Sequence, residues 1–336
     1  MTYALIGMRT ISGVYHHGVL PVVAFAIGWL IAEGSSDKQI RDGILALAAG
    51  FGTYATLNML VNIGNNRYRL IDFWTGTYRA ATGSGALNTL PIAVAPYAVK
   101  FEKRLLVKTM FLVLFFATIQ YMFMLGTRTQ FAILLLIVIL AALQFAYSEQ
   151  GIAGVLKCIG IMAVISLIAF LLYHFNVLSI RDYILSTNLA ARYERRASLE
   201  NADSFRFQSF WIGLRELIQY PMGGRASQVY RHNMWLDVGR VSGIIPFCLL
   251  LVYSIKNFAN VTVIWKNTKI LPSLRYLLLF LYIGAYVNCF VEPIWEGALN
   301  FFLALCVVDG MVSAMMRRLE NDPTPEESVS DTSNLH

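Results

Sequence analysis

The run Arg231-His232-Asn233, met just before an apolar stretch, sets a guanidinium, an imidazole and a carboxamide in three consecutive positions. Asn is a strong N-cap residue, so Asn233 can cap the following helix and place His232 beside the positive end of its dipole. That field disfavours imidazolium, and a neutral imidazole near pH 7 is what general-base chemistry needs. A lone interfacial histidine more often only bonds a carbonyl; it is the grouping with Asn233, Arg206, Arg231 and a facing Arg128 that points to chemistry. His16, His17, His174 and His336 have no comparable setting. Arg128 lies in the tight turn Gly126-Thr127-Arg128-Thr129 between two strongly apolar stretches. A cation held at such a depth is a functional-site hypothesis by default.

The elements that must position these groups are membrane spans. The chain is 57% hydrophobic and 14% charged, against roughly 45–50% and 25% in soluble domains. Crossing a bilayer core of about 30 Å takes roughly 20 residues of helix. Apolar runs at 18–33, 43–62, 86–99, 105–125, 130–147, 152–173, 238–255, 274–291 and 297–316 meet or approach that length, and they do not alternate as barrel strands would. The expected fold is an all-α polytopic transmembrane bundle: a single membrane domain over 1–320 with about nine helices, and a disordered cytoplasmic tail over 321–336. The runs at 18–33 and 86–99 are short and the second carries Pro91 and Pro96, so one of them is expected to be broken or re-entrant.

Lysine and arginine in short loops orient such a bundle. With the tail inside, the inner connections hold Lys38 and Arg41; Lys100, Lys103, Arg104 and Lys108; Lys157; and Lys256, Lys266, Lys269 and Arg275. The long connection at about 174–237 then lies outside. On that reading every lysine is cytoplasmic and the outer cations are all arginine, including Arg79, Arg128, Arg206, Arg215, Arg231 and Arg240. Arginine grips phosphate with two prongs and stays charged when partly desolvated, which suggests an anionic ligand. Within the long loop, Asp203 and Ser204 are N-cap candidates, and Phe207, Phe210, Trp211, Leu214, Leu217 and Ile218 recur at helical spacing. The result is an amphipathic interfacial helix. Arg206 and Ser209 leave its apolar stripe and are free to face a polar cavity.

Other chemistries find little support. Asp72, Asp182, Glu194, Glu200, Asp203, Glu216, Asp237, Glu292 and Glu296 show no metal-binding spacing, so no metal is expected, and no cofactor. Glu292 and Glu296, in the last outer turn, read as solvated or as sugar contacts. Cys158, Cys248, Cys289 and Cys306 form no C-x-x-C pair. Ser84, in Thr82-Gly83-Ser84-Gly85, reads as a turn and not as a protease nucleophile. Nothing suggests a nucleic-acid partner. Asp309 is the one residue clearly charged inside a span.

Two blocks resemble the O-antigen ligase and O-antigen polymerase superfamily of bacterial envelope glycosyltransferases. One runs from Trp74-Thr75-Gly76-Thr77-Tyr78-Arg79 through Asn88 to Gly126-Thr127-Arg128; the other runs from Arg206 through Pro221-x-Gly223 to His232-Asn233 and Gly243. Where the ligase pattern continues with a small or hydroxylated residue after its glycine, this chain has Ile244-Ile245-Pro246-Phe247. The resemblance implies an enzyme of the bacterial inner membrane whose donor is a glycan on undecaprenyl diphosphate. The acceptor would be a second lipid-linked repeat unit for a polymerase, or a lipid A core sugar for a ligase. It implies His232, Arg206 and Arg128 as catalytic groups and Arg79, Arg231, Asn233 and Arg215 as substrate-binding groups. A flippase and a chain-length regulator would be its partners. The reading from another class is a transporter or flippase of an anionic glycolipid, which would need more charges within the spans and related halves.

Overall fold

The computed structural model describes residues 15–63, 69–197, 202–226 and 229–321. These residues are nearly all helical, and seven of the helices are long and apolar enough to cross a membrane. The sequence expectation for the tail falls outside them.

A π turn at Tyr15–Val19 leads into α1 (Leu20–Glu33). The next helix, α2 (Asp37–Val61), starts at a capping box in which Ser36 and Gln39 satisfy each other's backbone N–H groups. A two-stranded hairpin follows, β1 (Arg69–Ile71) with β2 (Tyr78–Ala80). The Asn62 amide holds it, donating to the Ile71 carbonyl at 2.8 Å and accepting from the Ile71 N–H at 2.9 Å.

The run at 86–99 forms no span. It is split between α3 (Ala81–Ala86) and α4 (Thr89–Lys100). A helix of 12 residues is about 18 Å long, too short for the bilayer core, and α4 is buried from Thr89 to Ala98. Its apolarity therefore serves the protein interior.

The chain continues in α5 (Leu105–Leu125), which ends at Gly126 in the left-handed conformation that glycine adopts without strain. Helix α6 (Arg128–His174) contains two expected spans and is interrupted at Gly151, whose φ is 60° and ψ −143°. Residues eight apart in a continuous helix are about 12 Å apart, yet Gly154 lies against the Ala146 carbonyl, so the chain folds back here. The second half is exposed along its most apolar stretch.

Three shorter helices follow: α7 (Ile180–Ser186), α8 (Asn188–Ala197) and α9 (Ala202–Gln219). Because α9 starts at Ala202, Asp203 and Ser204 lie in its first turn instead of capping it. The run expected as one span at 238–255 is divided at Gly243 into α10 (Met234–Ser242) and the true candidate span, α11 (Ile244–Lys266). Lys256, expected in a connection, is consequently an exposed residue within α11, where its long stem can carry the ammonium toward the helix end. Helices α12 (Pro272–Val291), α13 (Ile294–Gly297) and α14 (Leu299–Asn321) complete the fold.

The core lies between α14, α12 and α1, with α2 and α4 packed on it. The crossing of α1 and α14 is close because Gly28 abuts the Val307 carbonyl and Gly310 the Phe25 carbonyl. Asp309 on α14 is fully buried. It accepts a hydrogen bond from Tyr253 on α11 at 2.7 Å and one from Tyr282 on α12 at 2.5 Å, so one carboxylate ties three helices together. Helix termini gather at two ends. At one, Arg318 pairs with Asp37 at 3.2 Å, Asp37 also accepts from the Leu271 N–H, and Lys100 pairs with Glu149. The other end holds His232.

Candidate active site

Three connections converge at the His232 end. The first is the turn between α5 and α6. Gly126 turns the chain there, and a Cβ at this position would lie 2.7 Å from the Asn188 carbonyl of α8. That helix is fastened over the turn: the Asn188 side chain donates to the Met124 carbonyl at 2.6 Å and Arg192 to the Gly126 carbonyl at 2.8 Å. The Arg128 guanidinium lies 5.9 Å from the Tyr193 ring centre, within cation–π range.

The second connection precedes α10. Asn233 caps that helix as its residue type implies, accepting from the Leu236 N–H at 3.0 Å, while its amide donates to the Phe290 carbonyl at 3.1 Å. The bond to Phe290 reaches the end of α12 and the third connection, which carries Glu292. His232 has φ of 56°, a left-handed conformation that is uncommon outside glycine and costs roughly 1–3 kcal/mol. Its ring stands edge-on to Tyr230, with centres 4.8 Å apart, and its Nδ1 is 4.0 Å from Oε2 of Glu292. The other Glu292 oxygen accepts from the Thr129 hydroxyl, one residue beyond Arg128. An imidazole, a buried carboxylate and a guanidinium-bearing turn thus meet.

Glu292 is 4% exposed, so the reading of this residue as solvated is corrected. The criterion that singled out Arg128, a charge in a short turn between strongly apolar helices, applies equally to Glu292 and could have found it. Ser209 is corrected too: it is 2% exposed and packed against the bundle, where an open polar cavity had been expected to receive it.

Beside this centre lies a network of paired charges. Arg231 makes a two-pronged contact with Glu216 of α9, at 2.7 and 3.0 Å, and Arg225 reaches the same carboxylate at 3.3 Å. Arg240 lies 3.5 Å from Asp237 and also pairs with Glu296, which is exposed as its reading as a solvated group implies and gains an ion pair besides. Burial raises Asp237 and Glu296 above the usual carboxylate range; Arg240 pulls both down, and the neighbouring Asp237 adds to the rise at Glu296. The Pro221-Met222-Gly223-Gly224 turn locks onto α10: the Gly224 N–H donates to the Val241 carbonyl at 2.9 Å and the Ile244 N–H to the Pro221 carbonyl at 2.8 Å. Gly223 and Gly243, both at positive φ, face each other here.

Of the residues expected to act, the structure brings His232, Asn233 and the Arg128 turn together. Arg231 is engaged with Glu216. Arg215, one residue earlier on α9, is exposed. Arg206 is on the first turns of α9 and Arg79 on β2, with both side chains outside the described residues. Among the described residues, no cluster of three or more His, Cys, Asp or Glu is arranged to hold a metal ion.

From Asn233 a groove of about 900 Å³ runs along α11 to Val263, between that helix, α12 and α9. Its walls include Phe210, Leu214, Trp235, Phe247, Phe258 and Phe290, and are almost wholly apolar. The amphipathic helix contributes Phe210 and Leu214 to it, while Phe207, Trp211 and Ile218 stay exposed, 79% in the case of Ile218. No protein-family model matches the chain, and no curated protein is similar to it.

Proposed function

We propose that the chain is a membrane glycosyltransferase that polymerises oligosaccharide repeat units carried on undecaprenyl diphosphate, working at the outer face of a bacterial inner membrane. The observation that carries the reading is the junction at Asn233. A long apolar groove ends where His232, Glu292 and the arginine-bearing turn meet, which suits a donor with an apolar tail and an anionic head. The resemblance of the Arg128 and Arg206–His232 segments to the O-antigen ligase and polymerase superfamily supports the same substrate class, and the concentration of lysines at the opposite end supports the orientation.

In this mechanism His232 takes the proton of an acceptor hydroxyl as that oxygen attacks the anomeric carbon of the donor glycan. The bond from that carbon to the diphosphate oxygen breaks, and its electron pair leaves with the polyprenyl diphosphate. Arg128 offsets the charge gathering on the leaving group; the resemblance gives the same task to Arg206, and substrate binding to Arg79. A guanidinium suits this task because it holds two phosphate oxygens at once. Asn233 fixes the mouth of α10 so that the imidazole keeps its place.

Purified protein in liposomes, given only lipid-linked repeat units, is expected to yield a ladder of polymer. Transfer only after addition of a lipid A core acceptor would make the chain a ligase. Movement of a fluorescent glycolipid between leaflets with no new glycosidic bond would place it among transporters and overturn the proposal.

A further inference from the structure

We infer that Glu292 is the positioning residue for His232: its carboxylate faces Nδ1, fixes the proton there, and leaves Nε2 as the atom that accepts the proton from the substrate hydroxyl. The inference rests on the reading of His232 as the base. Its geometry stands apart from that reading. Glu292 is almost fully buried at the end of α12, with one oxygen occupied by the Thr129 hydroxyl and the other turned to Nδ1 at 4.0 Å. At 4.0 Å this is an ion-pair distance and not a hydrogen bond, and catalytic contacts often tighten into hydrogen bonds only in the reacting complex. A carboxylate opposite one ring nitrogen decides which tautomer an imidazole adopts, as second-shell carboxylates do for ligating histidines.

Several neighbouring groups among the described residues are engaged elsewhere. Tyr230, in the same connection, presents a ring to the imidazole in an edge arrangement. The Arg231 guanidinium is turned to Glu216, and Asp237 of α10 accepts the Arg231 N–H at 2.6 Å and faces Arg240. From the α5–α6 turn comes Thr129, already on Glu292, while the Arg128 guanidinium lies 5.9 Å from the Tyr193 ring centre. The His232 backbone is held at positive φ, and its ring stands edge-on to Tyr230.

The test reads the imidazole itself. Protein with isotopically labelled histidine is reconstituted in lipid and its ring nitrogens are followed by NMR against pH, with His232→Gln identifying the signal. The Nδ1-protonated tautomer is expected in the wild type. In Glu292→Gln, which keeps an oxygen for Thr129, that tautomer should lose its dominance and the protonation midpoint should fall by about half a pH unit or more. In the polymer assay Glu292→Gln should lower kcat about 10- to 100-fold with KM little changed, and Glu292→Asp should recover part of it. The same tautomer and midpoint in wild type and Glu292→Gln would overturn the inference even if His232→Gln proves inactive. Full activity in His232→Gln would instead remove the base assignment, and the spectra would still decide whether Glu292 sets the tautomer.

Discussion

At the scale of single residues, two kinds of arginine separate. Arg231 and Arg225 share Glu216, with the Arg231 and Glu216 side chains only 11% and 10% exposed. Removing one member of such a pair leaves a charge buried, at about 3 kcal/mol. Glu216→Gln is therefore expected to lower the thermal midpoint of the purified protein, with polymerisation per folded molecule largely kept; a strong loss of turnover at unchanged midpoint would contradict this. Arg128 sits in a different setting, its guanidinium 5.9 Å from the Tyr193 ring centre. Arg128→Lys keeps the charge and loses the fork, so turnover should drop at normal stability. Sequence reasoning placed both arginines in one list because acceptor groups such as Glu216 come from a helix whose facing side no spacing reveals. Glu292 escaped for a related reason: whether a turn carboxylate meets water or a histidine depends on how three connections converge. Asp237 and Glu296 add a pH dependence. Their folded-state pKa values are raised, so they favour the native state most at low pH, and that contribution is lost as pH rises through the raised values. The thermal midpoint should rise as pH is lowered through those raised values, and the rise should shrink in Asp237→Asn.

At the scale of elements, hydropathy located the long helices and misplaced their breaks. The run at 238–255 looked continuous, yet Arg240 lies within it, and a charge two residues into a span is a signal that the span begins later. Gly243 makes the break: its φ is 95°, and a side chain there would strike the Pro221 carbonyl. Gly243→Ala puts a side chain at φ 95° and ψ −177°, a region open essentially to glycine, and adds a strain of roughly 1–3 kcal/mol to that collision. It should dislodge α10, and His232 with it, and so reduce activity severely. Gly160→Ala is the control, since nothing lies within 4 Å of a Cβ there and alanine favours a helix by up to about 1 kcal/mol. Equal activity in the two variants would show that the Pro221–Gly224 lock does not hold the site. The run at 86–99 is broken, in line with its shortness and its Pro91 and Pro96; a helix buried in protein and a helix facing lipid carry the same apolar composition, and only length and such prolines distinguish them.

At the scale of the whole molecule, the helical class with long apolar helices was legible because bilayer thickness and apolar run length are linked by simple geometry. The groove was not legible: its walls come from α9, α10, α11 and α12, which no local pattern relates. Topology is open to direct test. In a cysteine-free background, single cysteines at the exposed Ser186 and at Asn267 are expected to react with an impermeant thiol reagent from opposite sides, and labelling of both from one side would remove the proposed orientation. The central claim is that His232 transfers a proton during glycan transfer from a lipid diphosphate. Its most direct measurement is release of polyprenyl diphosphate by reconstituted protein given labelled lipid-linked repeat units, followed against pH in wild type and in His232→Ala. The wild type should release one polyprenyl diphosphate per glycosidic bond formed, with the rate falling on acidification, and His232→Ala should be slower by about 10² to 10⁴ while still binding the donor. Release at the wild-type rate and pH profile in His232→Ala would contradict the account.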